Sequence, residues 1–215
     1  MDLQEVIKLT LLSCNNFIRE ADEMLTSKKT VIFTFAIVFF SCILMTLSCA
    51  YTVSVQPHIS PVVVPKLIGD EAGIYISPNE LQKVHKQSSF FGGKIRVPLG
   101  SPLKESTQES FAPFFKRVFF VGSSDPTMAP FIIETRLVDF SVTGGLDTRL
   151  TIECKVNKEG QTVFLGNFEG RGSGTAAAGF VAAAFAREEI VKSAESAFKD
   201  AFLKIQNSFK EEMFK

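Results

Sequence analysis

Residues 30 to 50, TVIFTFAIVFFSCILMTLSCA, contain no charged side chain in 21 consecutive positions. A run of about 20 apolar residues is long enough for a helix to cross a hydrocarbon layer roughly 30 Å thick. A buried helix of a soluble domain keeps a polar stripe, whereas this run has only scattered Thr and Ser. The chain is therefore expected to place this segment in a membrane. Lys28 and Lys29 precede the run, and the next basic residue is Lys66. Positive charge is retained on the cytoplasmic side, so residues after 50 are expected outside the cytoplasm.

Two fates remain open for the run. A signal peptide has a basic start, an apolar core of about 7 to 15 residues and small residues before its cleavage point. Met24 offers an internal start, with MLTSKK as an ordinary basic leader, and Leu44-Met45-Thr46-Leu47-Ser48-Cys49 is similar to a bacterial lipobox with Cys49 as the acylated residue. Thr46 and Leu47 stand where the usual pattern prefers Leu, Val or Ile and then a small residue. The alternative is a retained transmembrane helix with Cys49 as an ordinary small residue at its end. The organisation expected is 1–23 as an upstream extension or misread start, 24–49 as signal peptide or anchor, 50–72 as an extended tether, and 73–215 as the periplasmic domain.

Beyond Cys49 the charges nearly balance, 19 Lys and Arg against 18 Asp and Glu. A nucleic-acid binder would show a basic excess, so no nucleic-acid partner is expected. Only Cys154 lies beyond the run, which leaves the domain without a disulfide framework.

In the domain, Leu150, Ile152, Cys154 and Val156 alternate with Arg149, Thr151, Glu153 and Lys155. Such strict alternation predicts a strand with one wet face, as in an antiparallel sheet. Asn157-Lys-Glu-Gly160 predicts a hairpin turn, with the partner strand over 161–169. Strands are also predicted over 73–77, from Lys116, and over 131–142. Ser101 followed by Pro102 predicts a capped helix start, and Pro113 its end. Phe111, Phe114, Phe115, Phe119 and Phe120 read as a core cluster. From Arg187 the period becomes helical: Ile190, Val191, Ala194, Ala197, Phe198, Ala201, Phe202, Ile205 and Phe209 form one stripe, with Glu188–Lys192 and Glu195–Lys199 as exposed pairs. The fold class expected is α+β: a two-layer, largely antiparallel sheet packed by a Ser101-capped helix and a long C-terminal helix, behind an N-terminal hydrophobic signal or anchor helix. The Gly- and Ala-rich stretch 170–186 is too short to span a bilayer. It is read as a loop and short helix, or as a hairpin touching a partner or the membrane.

Chemistry is poorly supported. His58 and His85 stand alone, and no HExxH, GxSxG or CxxC occurs. Gly170-Arg-Gly-Ser-Gly174 lacks the Gly-Lys-Ser/Thr ending of a phosphate loop, and Asp139 and Asp147 flank a turn. No catalytic residue, cofactor or metal ligand is assigned, and no enzyme is expected.

The order of a lipobox-like end, a Pro-rich segment, a Gly-Ser-Pro-Leu helix start, the strand Leu150–Val156, the return Phe164-Leu-Gly-Asn-Phe-Glu-Gly170 and an Ala-rich final helix resembles the YajG-type bacterial envelope lipoproteins. It is similar in plan to the auxiliary lipoproteins of lipid-transport ABC systems. The resemblance spans about residues 95–212 and implies a periplasmic α/β domain without catalysis. The expected function is that of a membrane-anchored lipoprotein whose domain binds an envelope partner or a second copy of itself through a sheet edge. A single-pass membrane protein with the same domain outside is the alternative. A lipid-transport accessory holding an acyl chain beside Phe111, Phe115 and Phe198 is the third reading.

Overall fold

Strand β7 (Thr148–Lys158) carries the alternation into the structure. Leu150, Ile152, Cys154 and Val156 are buried, while the side chains between them face outward. The protein is described by a computed structural model over residues 50–88, 94–143, 146–174 and 182–215. The uncharged run, Cys49 and the expected anchor helix lie outside the described residues, as does most of the Ala-rich stretch.

β7 lies between β6 (Phe131–Val142) and β8 (Gln161–Gly172), antiparallel to both. The turn into β8 uses Glu159 (φ 49°) and Gly160 (φ 81°). Two successive positive φ values suit the twist of a two-residue hairpin, and glycine takes the second without strain. β2 (Gly69–Tyr75) begins four residues before the predicted strand and pairs in parallel with both β5 (Phe115–Phe120) and β6. The five-stranded order is β5-β2-β6-β7-β8, so β5 and β8 are its edges.

The polar stretch after β2 forms a short helix and a strand. Ser77 caps the short helix α1 (Pro78–Leu81) by accepting the Glu80 N–H, 3.3 Å away. β3 (Val84–Ser88) and β4 (Lys94–Pro98) follow, and with β1 (Ala50–Thr52) they form a second sheet in the order β1-β4-β3.

The expected Ser101 cap is not formed. Helix α2 (Gly100–Phe111) starts earlier, with Leu99 as its N-terminal flank. The Leu99 N–H donates to the Lys83 carbonyl at 2.9 Å, and the Leu99 carbonyl accepts the Leu103 N–H at 3.1 Å, so the chain is already helical at Ser101. Ser101 Oγ donates instead to Glu105 at 3.0 Å. Pro102 still falls among the first turn's unpartnered donors, where its missing N–H does no harm. A 3₁₀ turn at Ala112–Phe114, containing Pro113, ends the helix as expected.

Helices α2 and α3 (Ala182–Met213) cover one face of the large sheet. The expected stripe of α3 is buried from Ile190 to Phe209, with Val191 half-buried at its margin. Phe209 is the hub of the core: the rings of Phe111, Phe114 and Phe164 meet it edge-on at 5.1, 5.0 and 5.3 Å between centroids. Phe119 and Phe120 leave the expected cluster. They sit on edge strand β5, where Arg117 and Lys104 lie over their rings. Buried polar contacts fix the helices to the sheet: Thr107 meets Thr135 at 2.9 Å, and Thr148 meets Ser193.

The expected tether is extended, but it is not free. Val53, Val55, Pro57 and Ile59 are buried in alternation with exposed neighbours. The Gln56 N–H donates to Glu195 of α3 at 3.1 Å, and the Ile59 N–H donates to Glu109 of α2 at 2.7 Å. Glu195 thus holds this strap rather than the expected Lys199, while the Glu188–Lys192 pair forms at 2.9 Å. Residues Ala50–Lys215 make up one unit that includes the strap.

Candidate functional site

Sequence reasoning places its one functional residue at Cys49, outside the described residues. The chain enters the fold immediately afterwards, because Ala50 already pairs with Lys94. Of the titratable residues considered for chemistry, Cys154 is fully buried, and the lack of solvation pushes its thiol far up. A buried thiol of that kind is inert. His85 is held below its ordinary range by burial, with Asp139 opposing the shift, and its ring packs 4.9 Å from that of Phe140. His58 is exposed, with Nδ1 3.8 Å from Glu109. Asp147 accepts the Gly174 N–H at 3.2 Å, a loop-closing role. Among the described residues no group of three or more His, Cys, Asp or Glu is placed to hold a metal ion. None of the helices among them is long and apolar enough to cross a membrane.

The space required for an acyl chain beside Phe111, Phe115 and Phe198 is filled by side chains. All three are buried, and the Phe198 and Phe202 rings lie parallel at 6.5 Å.

The arrangement with most capacity to bind is the outer edge of β8. The Glu169 carbonyl accepts Lys204 Nζ at 2.7 Å, and the Arg171 N–H donates to Asp200 at 3.0 Å. These two residues therefore turn their backbone groups away from β7. The continuous register through Leu165 and the alternation of antiparallel pairing turn the groups of Asn167 and Leu165 outward as well. Helix α3 satisfies the upper edge and leaves the lower one open. Leu165 is 64% exposed there. Phe168 folds back over Gly166, where an added Cβ would lie 2.7 Å from its ring, and it stacks on Phe164 at 5.8 Å. A groove of about 470 Å³ runs along this edge, lined by Val163, Leu165, Phe168, Ser208 and Glu211 among others. The fold can thus accept an added strand, with main-chain hydrogen bonds along the edge and side chains in the groove. The hairpin was legible in the sequence. That its second strand ends the sheet was not, because strand order is set by distant pairings.

The class defined by these features is a two-layer α+β domain whose β8 edge is covered by a helix at one end only. No family model and no curated protein matches the chain. Solved structures of like arrangement include a Xanthomonas campestris protein of the DUF330 family, 9% identical, covering 76% of this chain and 95% of its own with a TM-score of 0.45. A minor lipoprotein from Acinetobacter baumannii is 7% identical over 66% of this chain and 93% of its own, with a TM-score of 0.38. A Chlamydia trachomatis protein is 7% identical over 67% and 97%, with a TM-score of 0.41.

Proposed function

We propose that this chain is a bacterial envelope lipoprotein of the YajG-like plan, acylated at Cys49, whose non-catalytic domain engages an envelope protein by strand addition at β8. The uncharged run, the basic pair before it and the lipobox-like approach to Cys49 support the anchoring. The single observation that carries the binding role is the open lower edge of β8 beside its groove. A long, flat strand edge pairs with other chains unless something blocks it. On β8 the block stops at Glu169, so the segment below is available to an extended segment of a partner, or to a second copy. The filled space around Phe111, Phe115 and Phe198 counts against an acyl-chain carrier.

Metabolic labelling with a palmitate analogue tests the anchor. Label is expected on the full chain and absent from Cys49→Ser; label persisting in Cys49→Ser removes Cys49 as the acylated residue, and an unlabelled full chain removes the lipoprotein reading in favour of a retained single helix. A photo-crosslinker at Leu165 tests the edge. It is expected to give a discrete adduct in envelope membranes that Asn167→Pro abolishes, whereas an adduct indifferent to that change rejects strand addition.

A further inference from the structure

The two faces of the small sheet differ in kind. Ile95 and Val97 of β4 are buried on the inner side, with Val53 just beyond β1. Lys94 and Arg96 alternate with them on the outer side, and Lys86 of β3 joins them, all three exposed. The register sets Lys86 directly opposite Arg96, and Ser88 opposite Lys94. Like charges facing each other across a strand pair are unfavourable. Among the described residues, none of the three has an ion-pair partner. The open face of the large sheet is treated differently. There Arg136 pairs with Glu153 at 3.0 Å and Lys155 with Glu134 at 3.6 Å. One exposed sheet face is neutralised internally, and the other is left positive.

The small sheet that bears this face is also where the chain enters the described fold. Ala50 is in register with Lys94, and Thr52 with Arg96. One residue of chain reaches at most about 3.6 Å, so no linker separates Cys49 from β1. With the strap docked from Val53 onward, the small sheet has no slack with which to move away from an anchor at Cys49.

We propose that this face rests on the anionic headgroups of the anchoring membrane, with Lys86, Lys94 and Arg96 meeting lipid phosphates and holding the domain in one orientation. The proposal rests on the membrane anchoring argued above. Charge complementarity and the point of attachment both select a lipid surface as the occupant. Each basic residue at an anionic surface raises local partitioning about fivefold, so the three together are worth on the order of a hundredfold in surface-bound over detached domain. Salt weakens such contacts by screening.

The chain has no tryptophan, so Val84→Trp gives a single reporter beside Lys86, at a position 41% exposed. Leu165→Trp serves as the distant reference. Each full-length variant is reconstituted into phosphatidylcholine vesicles with and without phosphatidylglycerol, carrying a headgroup-level quencher. Strong quenching of Val84→Trp is expected only with phosphatidylglycerol. It should fall to the Leu165→Trp level on adding Lys86→Glu, Lys94→Glu and Arg96→Glu together, with flotation unchanged. Hydrogen exchange on the unaltered chain gives a second reading: the β3 and β4 amides should slow on phosphatidylglycerol vesicles. Flotation without selective quenching or slowing overturns the orientation and leaves the anchor standing. Failure of the chain to float overturns both.

Discussion

A Cβ placed on Gly172 would stand 1.8 Å from the carbonyl oxygen of Ser193, and one on Gly170 would stand 2.0 Å from that of Ala197. The backbones of β8 and α3 therefore touch with no side chain between them. Two strand residues advance about 6.7 Å and four helical residues about 6 Å, so the two series stay in step along the contact. Gly170→Ala and Gly172→Ala are each expected to destabilise the domain by about 1–3 kcal/mol, as forced overpacking does. Because one outward shift of the helix relieves both, the double variant should lose less than the sum. Urea denaturation of the single and double variants measures this.

The strap depends on carboxylates that accept its N–H groups. Glu109→Ala removes the acceptor for Ile59. Since that carboxylate is 40% exposed, a loss of about 1 kcal/mol is expected, less than for a buried hydrogen bond to a charged group. Protease cleavage within residues 53–68 should accelerate, and Glu109→Gln, which keeps a carbonyl acceptor, should restore part of the protection. An unchanged cleavage pattern in Glu109→Ala would show that apolar burial alone holds the strap.

Burial raises the Cys154 thiol far above its ordinary range. The unfolded chain therefore loses this proton first as pH rises. The thiol's contribution to stability is complete below about pH 8.5 and is lost progressively above it, at up to about 1.4 kcal/mol per pH unit. Denaturation curves between neutral and alkaline pH should show a steeper loss for the natural chain than for Cys154→Ala. Parallel curves would mean that the thiolate is accommodated in the fold.

The N–H of Asn167 faces away from β7, so Asn167→Pro deletes no ladder hydrogen bond, and proline is tolerated on edge strands. Folded stability should change by no more than about 1 kcal/mol. Proline at Ile152 in the central strand should prevent folding, since it removes a ladder bond and a buried side chain together. Thermal unfolding monitored by circular dichroism separates the two cases, and a large loss in Asn167→Pro would place that N–H in an internal bond.

What the sequence by itself determined is what repeats locally. The alternation from Arg149 to Val156, the helical stripe from Ile190 to Phe209, the turn at Gly160 and the uncharged run before Ala50 are each readable because period and composition act within one short segment. The fold and the hairpin came through on those signals. Tertiary structure decided the rest. Val53, Val55 and Ile59 alternate as a free extended segment would, and only the faces of α2 and α3 turn that segment into a docked strap. Leu99, bonded to the Lys83 carbonyl, moves the start of α2 ahead of Ser101. Gly170 and Gly172 read as loop residues until α3 lies against them. The parallel pairing of β2, the open edge at β8 and the unpaired cations of the small sheet exist only once strands distant in the chain lie side by side. A pattern within one segment says which face is apolar, but what covers that face depends on residues elsewhere in the chain.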